Sequence, residues 1–197
     1  MDSISDTMVF ELTDDDKEFL LGLARKSITH YMKSGEIPTL PPDELPDEKL
    51  LEDRACFVTL HQSENLRGCI GSLEARRPLF IDCIENAIAS AFHDPRFAPL
   101  SEGELKSVKI SISVLTKPEP FEVSDPDELL EKLVPGNDGL ILQNGIRSAT
   151  FLPSVWEQLP DKKEFLSRLS MKAGLLPDAW QDSETTFQKY HTIEFSE

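Results

Sequence analysis

Two pairs of strand-forming segments in this chain stand only a few residues apart, and a connection that short turns the chain straight back on itself. Residues 55–61 and 66–73 make the first pair, with Ser63-Glu64-Asn65 between them suited to a hairpin turn. The second runs from Gly139 to Leu152 and bends at Asn144-Gly145, a pair that tolerates the positive φ angles of a tight turn. Parallel neighbours would need a crossover of about a dozen residues, so both pairs are antiparallel. The clearest strand is 108–115. Val108, Ile110, Ile112 and Val114 alternate there with Lys109, Ser111 and Ser113. The tail, residues 185–195, is rich in Thr, Phe, Tyr and Ile and predicts one last strand.

Helices fall between these strands. Thr13 heads the first, followed by Asp14, Asp15 and Asp16, which suit the positive end of the helix dipole. Phe19, Leu20, Leu23, Ala24, Ile28 and Tyr31 keep helical spacing until Gly35 offers a left-handed stop. Four prolines make residues 36–46 a stiff surface loop. Pro78 opens a second helix with a buried stripe of Phe80, Ile84, Ala87, Ile88 and Ala91, ending near Asp94-Pro95. Ser101 and Glu104 form a capping-box pattern, and shorter helical pieces start at Asp125, Pro153 and Asp161. There is no βαβ rhythm and no internal repeat. The pattern is α+β, a largely antiparallel sheet flanked by helices.

The 197 residues suit one large domain or two small lobes sharing a core. A formal net charge of -16 repels phosphate backbones and anionic membrane surfaces, so neither nucleic acid nor membrane is an expected partner, although a small basic pocket stays compatible with it. Three widely spaced cysteines, Cys56, Cys69 and Cys83, are no disulfide framework. The opening Met1-Asp2-Ser3-Ile4-Ser5-Asp6 is acidic and unlike a secretory signal, and the expected location is cytoplasmic with reduced thiols. His30, His61, His93 and His191 show no ligand spacing, and no nucleotide-binding loop is present, so neither metal nor cofactor is expected. Trp156 and Trp180 are expected in the core or at a subunit contact.

The local rules break at one place, Leu66-Arg67-Gly68-Cys69-Ile70-Gly71. Strand alternation puts Arg67, Cys69 and Gly71 on one face. A guanidinium ~6.5–7 Å along the strand from a thiol favours its thiolate. Gly68 and Gly71 are poor strand residues, tolerated where a ligand or another backbone must come close. The other reading makes Cys69 a small buried hydrophobe with bulges on either side. Gly68-Cys69-Ile70-Gly71 also has the spacing of an RNA-clamping Gly-x-x-Gly loop, but strand flanks and an acidic chain argue against that use.

This run resembles the hallmark of the AMMECR-one domain family, called system protein A in the AmmeMemoRadiSam group. Further blocks stand in family order: Cys56-Phe57-Val58-Thr59-Leu60 before the hallmark, and after it Ala91-Phe92-His93-Asp94-Pro95-Arg96-Phe97, Ile112-Ser113-Val114-Leu115, Asp138-Gly139-Leu140-Ile141-Leu142, Ala149-Thr150-Phe151-Leu152-Pro153 and Lys172-Ala173-Gly174-Leu175. Ala98 stands where the family often has a first proline before Pro99. The resemblance implies a single domain over residues 1–197, two lobes sharing one core with the second the smaller, and a cleft lined by the hallmark. It also implies Memo-like or radical SAM proteins as partners.

These residues support two functional readings. In one, Cys69 is a nucleophile or redox thiol in an enzyme or enzyme subunit, Arg67 primes it, His93 approaches as a base, and Gly68, Gly71, Asp94 and Arg96 hold a ligand. Within that segment the alternative is a helix-end cap, with His93 at the negative end of the dipole and Asp94 paired to Arg96 to hold the loop. In the other reading the chain is a non-catalytic module that docks a partner protein through the same cleft.

Overall fold

The computed structural model describes residues 10–197, and the acidic opening run from Met1 to Asp6 lies outside the described residues. The fold is α+β, with five helices and two four-stranded antiparallel sheets among the described residues. The chain divides into two units. One runs to Thr116 and takes in Ile193–Glu197; the other is Lys117–Thr192.

The first unit opens with helix α1, Asp14–Ser34. The Thr13 hydroxyl accepts from the Asp16 N–H at 3.2 Å, and the Asp16 carboxylate accepts from the Thr13 N–H at 2.7 Å. This reciprocal cap satisfies backbone donors that a helix start leaves open. Gly35 closes the helix at φ 72°, the left-handed conformation expected there. The proline-rich loop contains two 3₁₀ turns, Pro42–Glu44 and Glu48–Leu51, the second burying Leu50. Strands β1 (Cys56–Gln62) and β2 (Asn65–Gly71) form the first hairpin. Its turn holds Ser63 and Glu64 at positive φ, 48° and 65°.

Helix α2 (Leu79–Phe92) comes next, then α3 (Glu102–Leu105) and β3 (Lys109–Leu115). With β8 (Thr192–Ser196) the sheet order is β2-β1-β3-β8, which leaves β2 at an edge. One face of this sheet and the two long helices bury Leu20, Ala24, Ile28, Val58, Leu60 and Ile112 in a common core. The other face carries Phe57, Thr59 and His61 of β1 and Lys109, Ser111 and Ser113 of β3.

The second unit has its own core. Strands β4 (Glu119–Pro120), β5 (Gly139–Asn144), β6 (Arg147–Phe151) and β7 (Thr186–Tyr190) form a sheet of order β4-β7-β5-β6. Helices α4 (Pro126–Lys132) and α5 (Lys162–Lys172) pack on it. Trp156 stacks on Phe165 with centroids 3.7 Å apart and donates its indole N–H to the Asp138 carbonyl at 2.8 Å. Both tryptophans are buried here, as expected of core residues. Gly139 lies flush against the Tyr190 ring, 2.6 Å from where a Cβ would stand.

The structure corrects two expectations. The tail is not one strand: it breaks at His191 into β7 in one sheet and β8 in the other. Composition supports strand on both sides of the break, and nothing local records the change of hydrogen-bonding partner. Lys117-Pro118-Glu119-Pro120, whose two prolines predict a rigid connector, contributes the short edge strand β4, a position where a proline removes no ladder bond. No helix among the described residues is long and apolar enough to cross a membrane.

Candidate functional site

Four polar residues at intervals of four fix the hallmark run in place. Asp82, Asn86, Ser90 and Asp94 lie along α2 and just past its end, and all four are buried. Residues four apart share one face of a helix. Here that face meets the backbone of the first hairpin. Asp82 accepts from the Cys56 N–H at 2.9 Å, and Asn86 donates to the Cys56 carbonyl at 3.1 Å. The Ser90 hydroxyl stands between the paired residues Val58 and Ile70. It accepts from the Ile70 N–H at 2.9 Å and donates to the Val58 carbonyl at 2.6 Å. Asp94 accepts from the Cys69 N–H at 2.9 Å. Burying such groups is tolerable only because each has its partners.

Cys69 is partly exposed, whereas Cys56 and Cys83 are fully buried. Its cross-strand neighbour is Thr59, whose hydroxyl donates to the sulfur at 3.2 Å. Arg96 donates to the Cys69 carbonyl at 3.1 Å and to Asp94 at 2.7 Å. The Asp94 carboxylate raises the Arg96 guanidinium above its ordinary range, and the Cys69 thiol adds to that. In return, the bond from Arg96 holds Asp94 well below the usual carboxylate range, overcoming its burial. Asp94 and Arg96 therefore pair across the helix end, and the pair also grips both backbone groups of Cys69.

Arg67 goes elsewhere. Its guanidinium binds Glu104 at 2.8 Å and the Ala98 carbonyl at 2.9 Å, which pins β2 to the segment around α3. Its Nη1 is buried without an acceptor among the described residues. Arg67 and Arg96 both lie over the Phe97 ring, at 5.9 and 5.5 Å from its centroid. His93 is exposed at the end of α2, and its Nε2 is 3.3 Å from the Tyr31 hydroxyl of α1. The glycines serve packing. A Cβ on Gly68 would sit 2.1 Å from the Ser90 carbonyl oxygen, and one on Gly71 would sit 2.2 Å from the Phe57 ring. Of the two causes that glycine admits, the structure shows close approach of protein in both cases.

Spacing arguments missed Thr59, Glu104 and the Asp82-Asn86-Ser90-Asp94 stripe. The stripe was visible as a repeat of four on a helix that otherwise buries apolar residues. The Arg67–Glu104 pair spans 37 residues and left no local trace. Ser111 is the partner of Thr59 on the other side, so Cys69, Thr59 and Ser111 form one row across three strands. Beyond Ser111 opens a cavity of 570 Å³ lined by His61, Lys109, Ser107, Ser196 and Glu197. No group of three or more His, Cys, Asp or Glu side chains poised for a metal occurs among the described residues.

The segments that build this arrangement lie within one stretch of family similarity, since the AMMECR1 family model matches residues 21–195. The chain belongs to the AMMECR1 family. Its AMMECR1 relatives include protein MK0488 of Methanopyrus kandleri, 41% identical over 191 residues, covering 95% of this chain and 91% of that one. Protein PH0010 of Pyrococcus horikoshii is 41% identical over 198 residues, covering 96% and 94%. The crystal structure of PH0010, described as an uncharacterized protein, superposes with a TM-score of 0.81 at 40% identity over 95% of this chain and 94% of that one. The AMMECR1 fold thus extends over both units.

Proposed function

We propose that this AMMECR1 protein acts through the thiol of Cys69, as a thiol-dependent enzyme or the thiol-bearing subunit of one. The observation that carries the reading is the surroundings of the sulfur. Cys69 is the one partly exposed cysteine, its sulfur receives a hydroxyl bond from Thr59, and the Arg96 guanidinium is bound to its carbonyl at 3.1 Å. The cavity beyond Ser111 offers room for a small polar molecule on the same sheet. His93, held by Tyr31, takes no part in this reading.

The test is alkylation of the folded protein followed by peptide mapping. Cys69 should label at neutral pH while Cys56 and Cys83 stay protected, and Arg96→Ala should slow the labelling by about tenfold. Labelling whose rate and pH profile ignore both Arg96→Ala and Thr59→Val would remove the support.

A second reading, the protein-docking module, draws on the same segment. Both glycines of the hallmark are accounted for by packing, and the Arg96 side chain is 53% exposed and available to a partner surface. A Memo-like or radical SAM protein is the partner to try. Under this reading Cys69→Ser keeps partner affinity and Arg96→Ala loses it. Loss of the cellular role in Cys69→Ser, with binding intact, decides for the thiol.

A further inference from the structure

The first unit leaves an apolar groove open between the proline-rich loop and α2. Ile37, Leu40 and Leu45 form one wall, and Phe80, Ile81 and Ile84 the other, around a cavity of 310 Å³. Ile37 is 55% exposed and Leu45 49% exposed. Soluble proteins tend to keep contiguous apolar surface of this kind for an interaction. Leu40 also lines a second groove of 320 Å³ along α1, whose rim carries Asp15, Glu18 and Glu44 against one cation, Lys26. None of those three carboxylates takes part in an ion pair among the described residues, so their charge is uncompensated apart from Lys26.

We propose that the two grooves together dock a short segment of a partner protein, carrying an aliphatic side chain for the apolar pocket flanked by lysines or arginines for the acidic rim. The charge selects this occupant. A second copy of this chain would bring its own net charge of -16 to an acidic rim and be repelled, and an anionic lipid surface would be repelled likewise. A basic, apolar-anchored peptide is attracted by the rim, which raises the rate of encounter, and is held by desolvation of its anchor. The site shares no lining residue with the surroundings of Cys69, so it stands whether or not that thiol is reactive.

The test titrates the full chain into a fluorescein-labelled peptide of alternating Leu-Leu and Lys-Lys pairs at physiological salt, with anisotropy as the readout. Control peptides replace every leucine by serine, or every lysine by glutamate. The Leu/Lys peptide is expected to bind, both controls to fail, and the pair Ile37→Ser with Leu45→Ser to weaken binding by about tenfold. Glu18→Gln with Glu44→Gln should weaken it less and flatten its salt dependence. Amide shifts on binding should map to Leu40, the exposed face of α1 and the first turns of α2. Equal binding of the Ser/Lys peptide would show general attraction to an acidic protein and overturn the proposal. So would full affinity in the Ile37/Leu45 variant, no binding at all, or self-association of the chain that Leu45→Ser abolishes.

Discussion

A methyl group added at Gly68 would lie 2.1 Å from the Ser90 carbonyl oxygen, and α2 cannot withdraw without breaking its bonds to Val58 and Ile70. Gly68→Ala should therefore cost ~2–3 kcal/mol, seen as a melting temperature lower by ~4–12 °C. Gly103→Ala, in open space on α3, should leave it nearly unchanged. The ion pair beneath gives a pH signature. The Arg67 bond, helped by Ser101, holds Glu104 at about 2 against an ordinary value of 4.5. A carboxylate depressed in this way stabilises the fold fully above its unfolded value, and the contribution is lost as pH falls through the folded one. Asp94, depressed further by Arg96, acts in the same direction. Glu104 is 27% exposed, so solvent reduces the effect without removing it. Urea midpoints measured from pH 4.5 down toward 2 should fall in the native protein and fall less steeply in Glu104→Gln, where the Asp94 contribution remains.

Between elements, the polar stripe of α2 is what seats the first hairpin. Ser90→Ala would remove one hydrogen-bond partner each from the Ile70 N–H and the Val58 carbonyl, at a cost of ~1–3 kcal/mol. Urea unfolding measures that cost, and hydrogen exchange at Ile70 should quicken. The elements themselves were largely legible in the residues, because periodicity, caps and turns are local. Thr13, Gly35, Pro78, Asn144-Gly145 and Gly174 each stand where the chain starts, stops or turns as their chemistry requires. The surroundings of Cys69 were legible only in part. Asp94 and Arg96 pair two residues apart, within reach of local reasoning. Arg67 shares a strand face with Cys69, which suggested that it served the thiol, yet its charge is spent on Glu104, a partner that only the folded chain brings near. Gly68 and Gly71 marked a close approach without naming what approaches.

Across the whole molecule, the two units keep separate cores, and both tryptophans belong to the second. Tryptophan emission should therefore report that unit alone. A cavity made in the first core by Leu20→Ala should lower the helix-dominated circular dichroism transition by more than the fluorescence transition. Coincident shifts of equal size would show that the two cores melt as one. The division also has a direction in time. The first sheet is completed by β8, which lies beyond the entire second unit, and Glu197 there receives the Arg25 Nε at 2.7 Å. A chain leaving the ribosome thus exposes β1, β2 and β3 long before their last neighbour is translated. Until then the open edge of β3 is free to pair with another nascent strand, so the segment from β1 to β3 waits on β8 for protection from aggregation.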